Sequence, residues 1–257
     1  MSLLEINKLT KHFGGLAAVS MVSMELESNE LVGLIGPNGA GKTTLFNLLT
    51  GVYEPSEGRI TLEVDGKKQS LIGKKTYKIT EMGLGRTFQN IRLFKELTVL
   101  ENVLIGMHAK NNVGTLAGIV RTPSFYHSEA EMKNEAIKLL KIFNLESKQT
   151  EQAKNLPYGE QRRLEIVRAL ATKPKILFLD EPAAGMNPQE TADLTDLIRQ
   201  IQKDFSITIL LIEHDMSLVM NVCERIYVLE YGRMIAHGTP AEIKNNKAVI
   251  KAYLGGD

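Results

Sequence analysis

The chain has 257 residues, with 31 Lys+Arg against 30 Asp+Glu and an apolar share of 43%. That is an ordinary globular balance and excludes a disordered or fibrous chain. A net charge of +1 argues against a nucleic-acid partner held by its phosphates and leaves only a local basic patch open.

The single cysteine, Cys223, excludes an intramolecular disulfide and a cysteine metal cluster, which fits a reducing compartment. No run reaches the roughly 18 apolar residues of a membrane span. The start, Met1-Ser2-Leu3-Leu4-Glu5, lacks the basic and apolar regions of a signal peptide. A role at a membrane therefore requires docking on a partner that spans it.

In chain order, residues 3–9 and 19–26 alternate loosely as half-buried strands, with Gly14-Gly15 between them. Residues 31–35 are continuously apolar, as in a buried strand. A glycine-rich turn follows, then helical spacing of Leu45, Leu48 and Leu49 up to Gly51, which reads as a C-cap. The middle of the chain turns helical. Residues 130–143 place Met132, Ala136, Leu139, Leu140 and Phe143 on one face, and 111–128 read as a looser stretch. Residues 176–179 and 207–212 are again buried-strand runs, with helices expected over 191–203 and 216–223. Residues 225–229 and 233–237 read as a closing hairpin around Gly232. Strands alternating with helices predict an α/β fold with a mainly parallel sheet flanked by helices. A helical insertion is expected over about 90–165, between core segments 1–90 and 165–257.

Gly36-Pro37-Asn38-Gly39-Ala40-Gly41-Lys42-Thr43-Thr44 satisfies G-x-x-x-x-G-K-[ST] between a predicted strand and a predicted helix, the context that marks a phosphate-binding loop. Its glycines let successive backbone N–H groups face phosphate oxygens, and the helix start adds its positive dipole end. Lys42 is expected on the β- and γ-phosphates and Thr43 on Mg²⁺. Asp180 and Glu181 end the 176–179 run, at the ligand-bearing edge of a parallel sheet. Asp180 is assigned to Mg²⁺, directly or through water, and Glu181 to the attacking water. His214 follows the next buried run and should approach the same phosphates. Gln89, in Gly85-Arg86-Thr87-Phe88-Gln89-Asn90, precedes the helical insertion. From a hinge there it could touch Mg²⁺ or the water. Read alone, it is a polar loop residue.

Leu156-Pro157-Tyr158-Gly159-Glu160-Gln161-Arg162-Arg163-Leu164-Glu165 resembles the L-S-G-G-Q signature of ABC ATPases and the helix that follows it. The phosphate loop, Gln89, this segment, Asp180-Glu181 and His214 also occur in that family's order. The resemblance covers essentially the whole chain. It implies a P-loop NTPase core with an N-terminal antiparallel β-subdomain and an inserted helical subdomain carrying the signature. It also implies ATP and Mg²⁺ bound at a head-to-tail dimer interface. Each ATP would lie on one subunit's phosphate loop and against the partner's Tyr158, Gly159 and Glu160. By position, Phe13 resembles the aromatic that stacks on adenine, its plainer reading being a core phenylalanine.

Two departures stand out. Pro157 replaces the signature serine and Tyr158 its first glycine. Proline has neither hydroxyl nor N–H, so the serine's contact to the γ-phosphate is lost. Asn187 stands where the loop after Asp-Glu-Pro commonly carries Asp. The segments 85–94, 158–166 and 181–188 resemble the ATPases of branched-chain amino-acid importers. That implies membrane permeases, a second ATPase subunit, identical or not, and indirectly an extracytoplasmic binding protein, with the chain peripheral on the cytoplasmic membrane face. The related lipid-export and urea-uptake ATPases share most of these motifs. A soluble ABC protein of translation or repair is disfavoured by the single cassette and short insertion.

Overall fold

Alternation of apolar residues builds the first sheet. Strands β1 (Ser2–Phe13) and β2 (Leu16–Glu27) form a hairpin that reverses at Gly14, φ 58°. Both run longer than the 3–9 and 19–26 expected. β1 also pairs with β4 (Glu57–Val64), which turns into β5 (Lys67–Ser70). Asp65 and Gly66 make that turn at φ 52° and 75°, the left-handed pair a two-residue hairpin needs. The order is β2-β1-β4-β5, all antiparallel. Leu4, Ile6, Val22, Met24, Leu26, Ile60 and Leu62 bury the inner face.

The second sheet contains β3 (Leu31–Ile35), β6 (Leu84–Arg86), β7 (Ile176–Asp180), β8 (Thr208–Ile212), β9 (Arg225–Glu230) and β10 (Arg233–Gly238). Its order is β10-β9-β3-β8-β7-β6. Only β10 is antiparallel, joined to β9 through Tyr231 and Gly232, φ 44° and 75°. Every residue of β3, β7 and β8 is buried, the covered-face condition of parallel sheets. Helices α1 (Lys42–Leu49) and α2 (Thr76–Glu81) lie between strands of this unit. The structure is a computed structural model that describes residues 2–108 and 123–254.

The chain divides into two units, Met1–Arg86 with Lys175–Asp257, and Thr87–Pro174. The second contains α3 (Val99–His108), α4 (Pro123–Ile142) and α5 (Tyr158–Leu170). Gly106 of α3 lies against α5, where an added Cβ would sit 2.5 Å from the Arg168 carbonyl oxygen. The whole of α5 falls in this second unit, Thr87–Pro174. The looser stretch expected over 111–128 lies outside the described residues as far as 122, and helix is present from Pro123.

The first unit ends its chain with α6 (Pro188–Phe205), α7 (Met216–Val222), α8 (Pro240–Lys244) and α9 (Lys247–Leu254). α6 starts three residues before the expected 191 because Asn187 and Glu190 form a reciprocal capping box, with Pro188 in the first turn. The Asn187 side chain therefore caps its own helix. Thr239 and Glu242 cap α8 in the same way.

Candidate nucleotide-binding site

The parallel register decides where the site residues meet. Leu34 of β3 and Asp180 of β7 both align with Ile212 of β8. The ends of these strands thus share one edge, and the loops after them carry residues 36–41, Glu181 and His214.

The loop after β3 is shaped by glycine. Gly36, Gly39 and Gly41 have φ of 153°, 78° and 99°. A Cβ on Gly36 would lie 2.1 Å from the Leu229 carbonyl oxygen, and one on Gly41 2.5 Å from that of Ala18. Beside Gly39 and Asn38 the loop is open. Pro37 accepts the Ala40 N–H at 3.1 Å, and Leu45 N–H returns to Gly41 O at 2.9 Å. α1 begins at Lys42, with Thr43 exposed and Thr44 half-buried on its first turn. Lys42 is buried, and its Nζ donates to Gly36 O at 2.7 Å and Pro37 O at 3.0 Å. Burial lowers the Lys42 pKa, and the carboxylates of Glu181 and Asp180 work against that lowering.

Asp180 is 2% exposed. Its Oδ2 accepts Arg86 Nη2 at 3.2 Å, and Arg86 Nη1 donates to Asn47 and Thr50 at 2.8 Å each. The next residue, Glu181, has a left-handed backbone, φ 48°, an arrangement costing about 1–3 kcal/mol and typical of working sites. Its N–H donates to Ile212 O at 2.9 Å. Its Oε1 lies 2.8 Å from His214 Nε2.

Glu213 supports this pair from beneath. Its buried carboxylate accepts Ala183 N–H at 2.7 Å and His214 N–H at 3.1 Å. Burial raises its pKa, those N–H bonds oppose the rise, and the Glu181 charge adds to it. Phe13 ends β1 on the surface, 44% exposed, which removes the core reading. Tyr53 meets it edge-on at 5.4 Å between centroids, and Lys11 Nζ lies 5.2 Å from its ring.

Gln89, Tyr158, Gly159 and Glu160 belong to the second unit. Pro157 is the N-cap of α5 with no side-chain cap bond, and its carbonyl accepts Glu160 and Gln161 N–H at 3.0 and 2.9 Å. Tyr158 is exposed and Gly159 buried. Glu160 is held by Lys148 Nζ at 2.7 and 2.6 Å, so its carboxylate is neutralised within its own unit. Gln89 is exposed.

A family model described as ABC transporter matches residues 19–184, which include the 36–44 loop and the Asp180-Glu181 pair. The chain belongs to the ABC transporter family. A second model, the branched-chain amino acid ATP-binding cassette transporter, matches residues 233–257. The high-affinity branched-chain amino acid transport ATP-binding protein LivG of Salmonella typhimurium is 51% identical over 253 residues, covering 98% of each chain. BraF of Pseudomonas aeruginosa, of the same description, is 50% identical over 254 residues, again 98% of each. The crystal structure of the ADP conformation of an ATP-binding cassette of an ABC transporter superposes with a TM-score of 0.84. It is 32% identical and covers 100% of both chains.

Three residues of this ABC cassette's site escaped sequence reasoning. Arg86 reaches Asp180 across 94 residues of chain, and nothing local marks it. Glu213 had a signal, an acid ending a continuous apolar run. The third is Tyr253 of α9, whose phenol pKa burial raises and the neighbouring Gly36 backbone lowers.

Proposed function

We propose that this chain is the ATP-hydrolysing subunit of an ABC importer that takes up branched-chain amino acids through separate membrane permeases. Identity of 51% across 98% of both chains with a LivG protein carries the reading. Its two units then form one ABC ATPase domain, an α/β nucleotide-binding core with a helical insertion. Among the described residues no helix is long and apolar enough to cross a membrane. The pore is assigned to the permeases, and the chain to a peripheral place on their cytoplasmic side. A second ATPase subunit completes an ATP-sandwich dimer, and an extracytoplasmic binding protein delivers substrate to the permeases. The test is uptake of leucine, isoleucine and valine by the assembled transporter in vesicles loaded with ATP. Uptake should be lost when this subunit is left out. Uptake that continues without it sinks the proposal.

The chemistry follows from the site. ATP phosphates would meet the backbone N–H groups of residues 38–44 and the start of α1. Lys42 would exchange the Gly36 and Pro37 carbonyls for β- and γ-phosphate oxygens. The hydroxyl of Thr43 and the buried carboxylate of Asp180 are hard oxygen donors suited to Mg²⁺, with Arg86 fixing Asp180, and Gln89 is assigned to the same ion. When bound, Mg²⁺ neutralises charge developing on the phosphates. Phe13 offers its exposed ring to adenine. A water oriented by His214 and Glu181 attacks the γ-phosphorus. The bond to the β-phosphate oxygen breaks, Glu181 accepts a proton, and ADP and phosphate remain.

From the opposite subunit, Gly159 N–H and the start of α5 complete the γ-phosphate cradle. Pro157 gives nothing there. Pro157→Ser is expected to raise ATPase turnover of the assembled complex several-fold, and the restored N-cap adds about 1 kcal/mol of helix stability. Steady-state turnover at saturating ATP checks this. Unchanged turnover rules out a missing contact at this half-site.

A further inference from the structure

Arg162 is fully buried. A guanidinium removed from water is costly unless its donors are matched. Nη1 donates to Phe88 O at 2.6 Å and to Glu165 Oε2 at 3.1 Å. Nη2 donates to Gln89 O at 2.7 Å and to the Tyr158 hydroxyl at 3.2 Å. Glu165, also buried, accepts the Arg92 N–H at 3.1 Å. Arg92 stacks over Phe88, 4.1 Å from its ring centroid. Two charged side chains of α5 thus hold the 88–92 segment on both sides of Gln89, by its backbone.

A buried ion pair is a weak source of stability, because desolvation offsets most of its attraction. What the fork of an arginine does supply is direction: five donors in one plane fix several acceptors at once. The departure at Tyr158 joins this arrangement. Glycine at that position has no side chain to offer, whereas the tyrosine hydroxyl accepts one arm of the fork.

We infer that Arg162 is a positioning residue that ties the Gln89 backbone to the start of α5, so that Gln89 and residues 158–160 move as one piece. The inference rests on the reading above, in which Gln89 serves one ATP and residues 158–160 the ATP of the opposite subunit. Arg162 then transmits the state of one ATP to the other. Lysine at 162 keeps the charge facing Glu165 but cannot span both carbonyls and the tyrosine hydroxyl.

The test is a double-mutant cycle on the assembled transporter, with Arg162→Lys, Gln89→Ala and the pair. Arg162→Lys should lower kcat on the order of tenfold through misplacement of Gln89, with KM for ATP nearly unchanged. In the Gln89→Ala background the same change should cost less than about twofold, since its target is gone. The Hill coefficient for ATP should fall toward one. Tyr158→Phe removes a single hydroxyl and should give the same pattern at a smaller size, which keeps the test decisive if Arg162→Lys folds poorly. Losses that multiply in the double variant, or wild-type kcat in both single variants at 158 and 162, overturn the clamp while leaving the ATPase reading intact. If Gln89→Ala alone has wild-type kcat, the assigned role of Gln89 fails and the clamp falls with it.

Discussion

Glu181→Gln is expected to keep ATP binding near the wild-type level and to lower hydrolysis by about 10²–10⁴-fold, the usual worth of a general base. The geometry separates the two effects. Glutamine has the size of glutamate, so the 2.8 Å contact to His214 Nε2 can persist through its amide oxygen. The backbone is held independently, by the Glu181 N–H on Ile212 O and by Glu213 on Ala183 and His214. The loop therefore stays in place while the proton acceptor disappears. The substitution also removes a negative charge that raises the Glu213 pKa, so the supporting carboxylate is eased and not strained. With ATP bound but uncleaved, the variant should accumulate as a dimer with its partner subunit. Single-turnover hydrolysis, ATP titration and size-exclusion chromatography with and without ATP measure the three outcomes. Turnover near wild type would show that Glu181 is not the base, and the proton acceptor would have to be sought elsewhere on the strand edge.

Several parts of this site are legible in the chain because one local feature dictates them. Gly36 and Gly41 cannot be other residues where a Cβ would meet backbone oxygen at 2.1 and 2.5 Å, so the spacing of the loop survives in plain sight. β3, β7 and β8 are buried on both faces and are written as mostly apolar runs, with Thr208 opening β8 and Asp180 closing β7. Their common edge then follows from parallel pairing. Asp65-Gly66 and the Thr239–Glu242 box are also local signals, for β5 and α8. Arg86 and Arg162 are of a different kind. Each looks like a surface cation in sequence. Their partners, Asp180 and the Phe88 and Gln89 carbonyls, lie 94, 74 and 73 residues away. Periodicity reports which face of an element is apolar. It does not report which charged side chain turns inward, because that depends on acceptors assembled by the fold.

Lys42→Ala should abolish productive ATP binding without unfolding the chain. The ammonium now rests on Gly36 O and Pro37 O, and both carbonyls lie in a loop that ATP phosphates are expected to approach. Removing it forfeits two charge-assisted hydrogen bonds to phosphate oxygens, each worth about 1.5–3 kcal/mol. The affinity should therefore fall by a factor on the order of 10²–10⁴, tenfold for every 1.4 kcal/mol. The cost to the apo fold is smaller, because burial already disfavours the charged form of this lysine, and alanine relieves that desolvation. Thermal denaturation with and without ATP tells the two variants apart. Ligand at 100 times its Kd adds about 2.7 kcal/mol, so the wild type and Glu181→Gln should both gain Tm with ATP, and Lys42→Ala should gain almost nothing at the same concentration. An undiminished ATP-dependent rise in Lys42→Ala would mean that the backbone N–H groups and the start of α1 hold the phosphates alone. Lys42 would then act only after binding, on the charge that develops as the γ-phosphoryl group leaves.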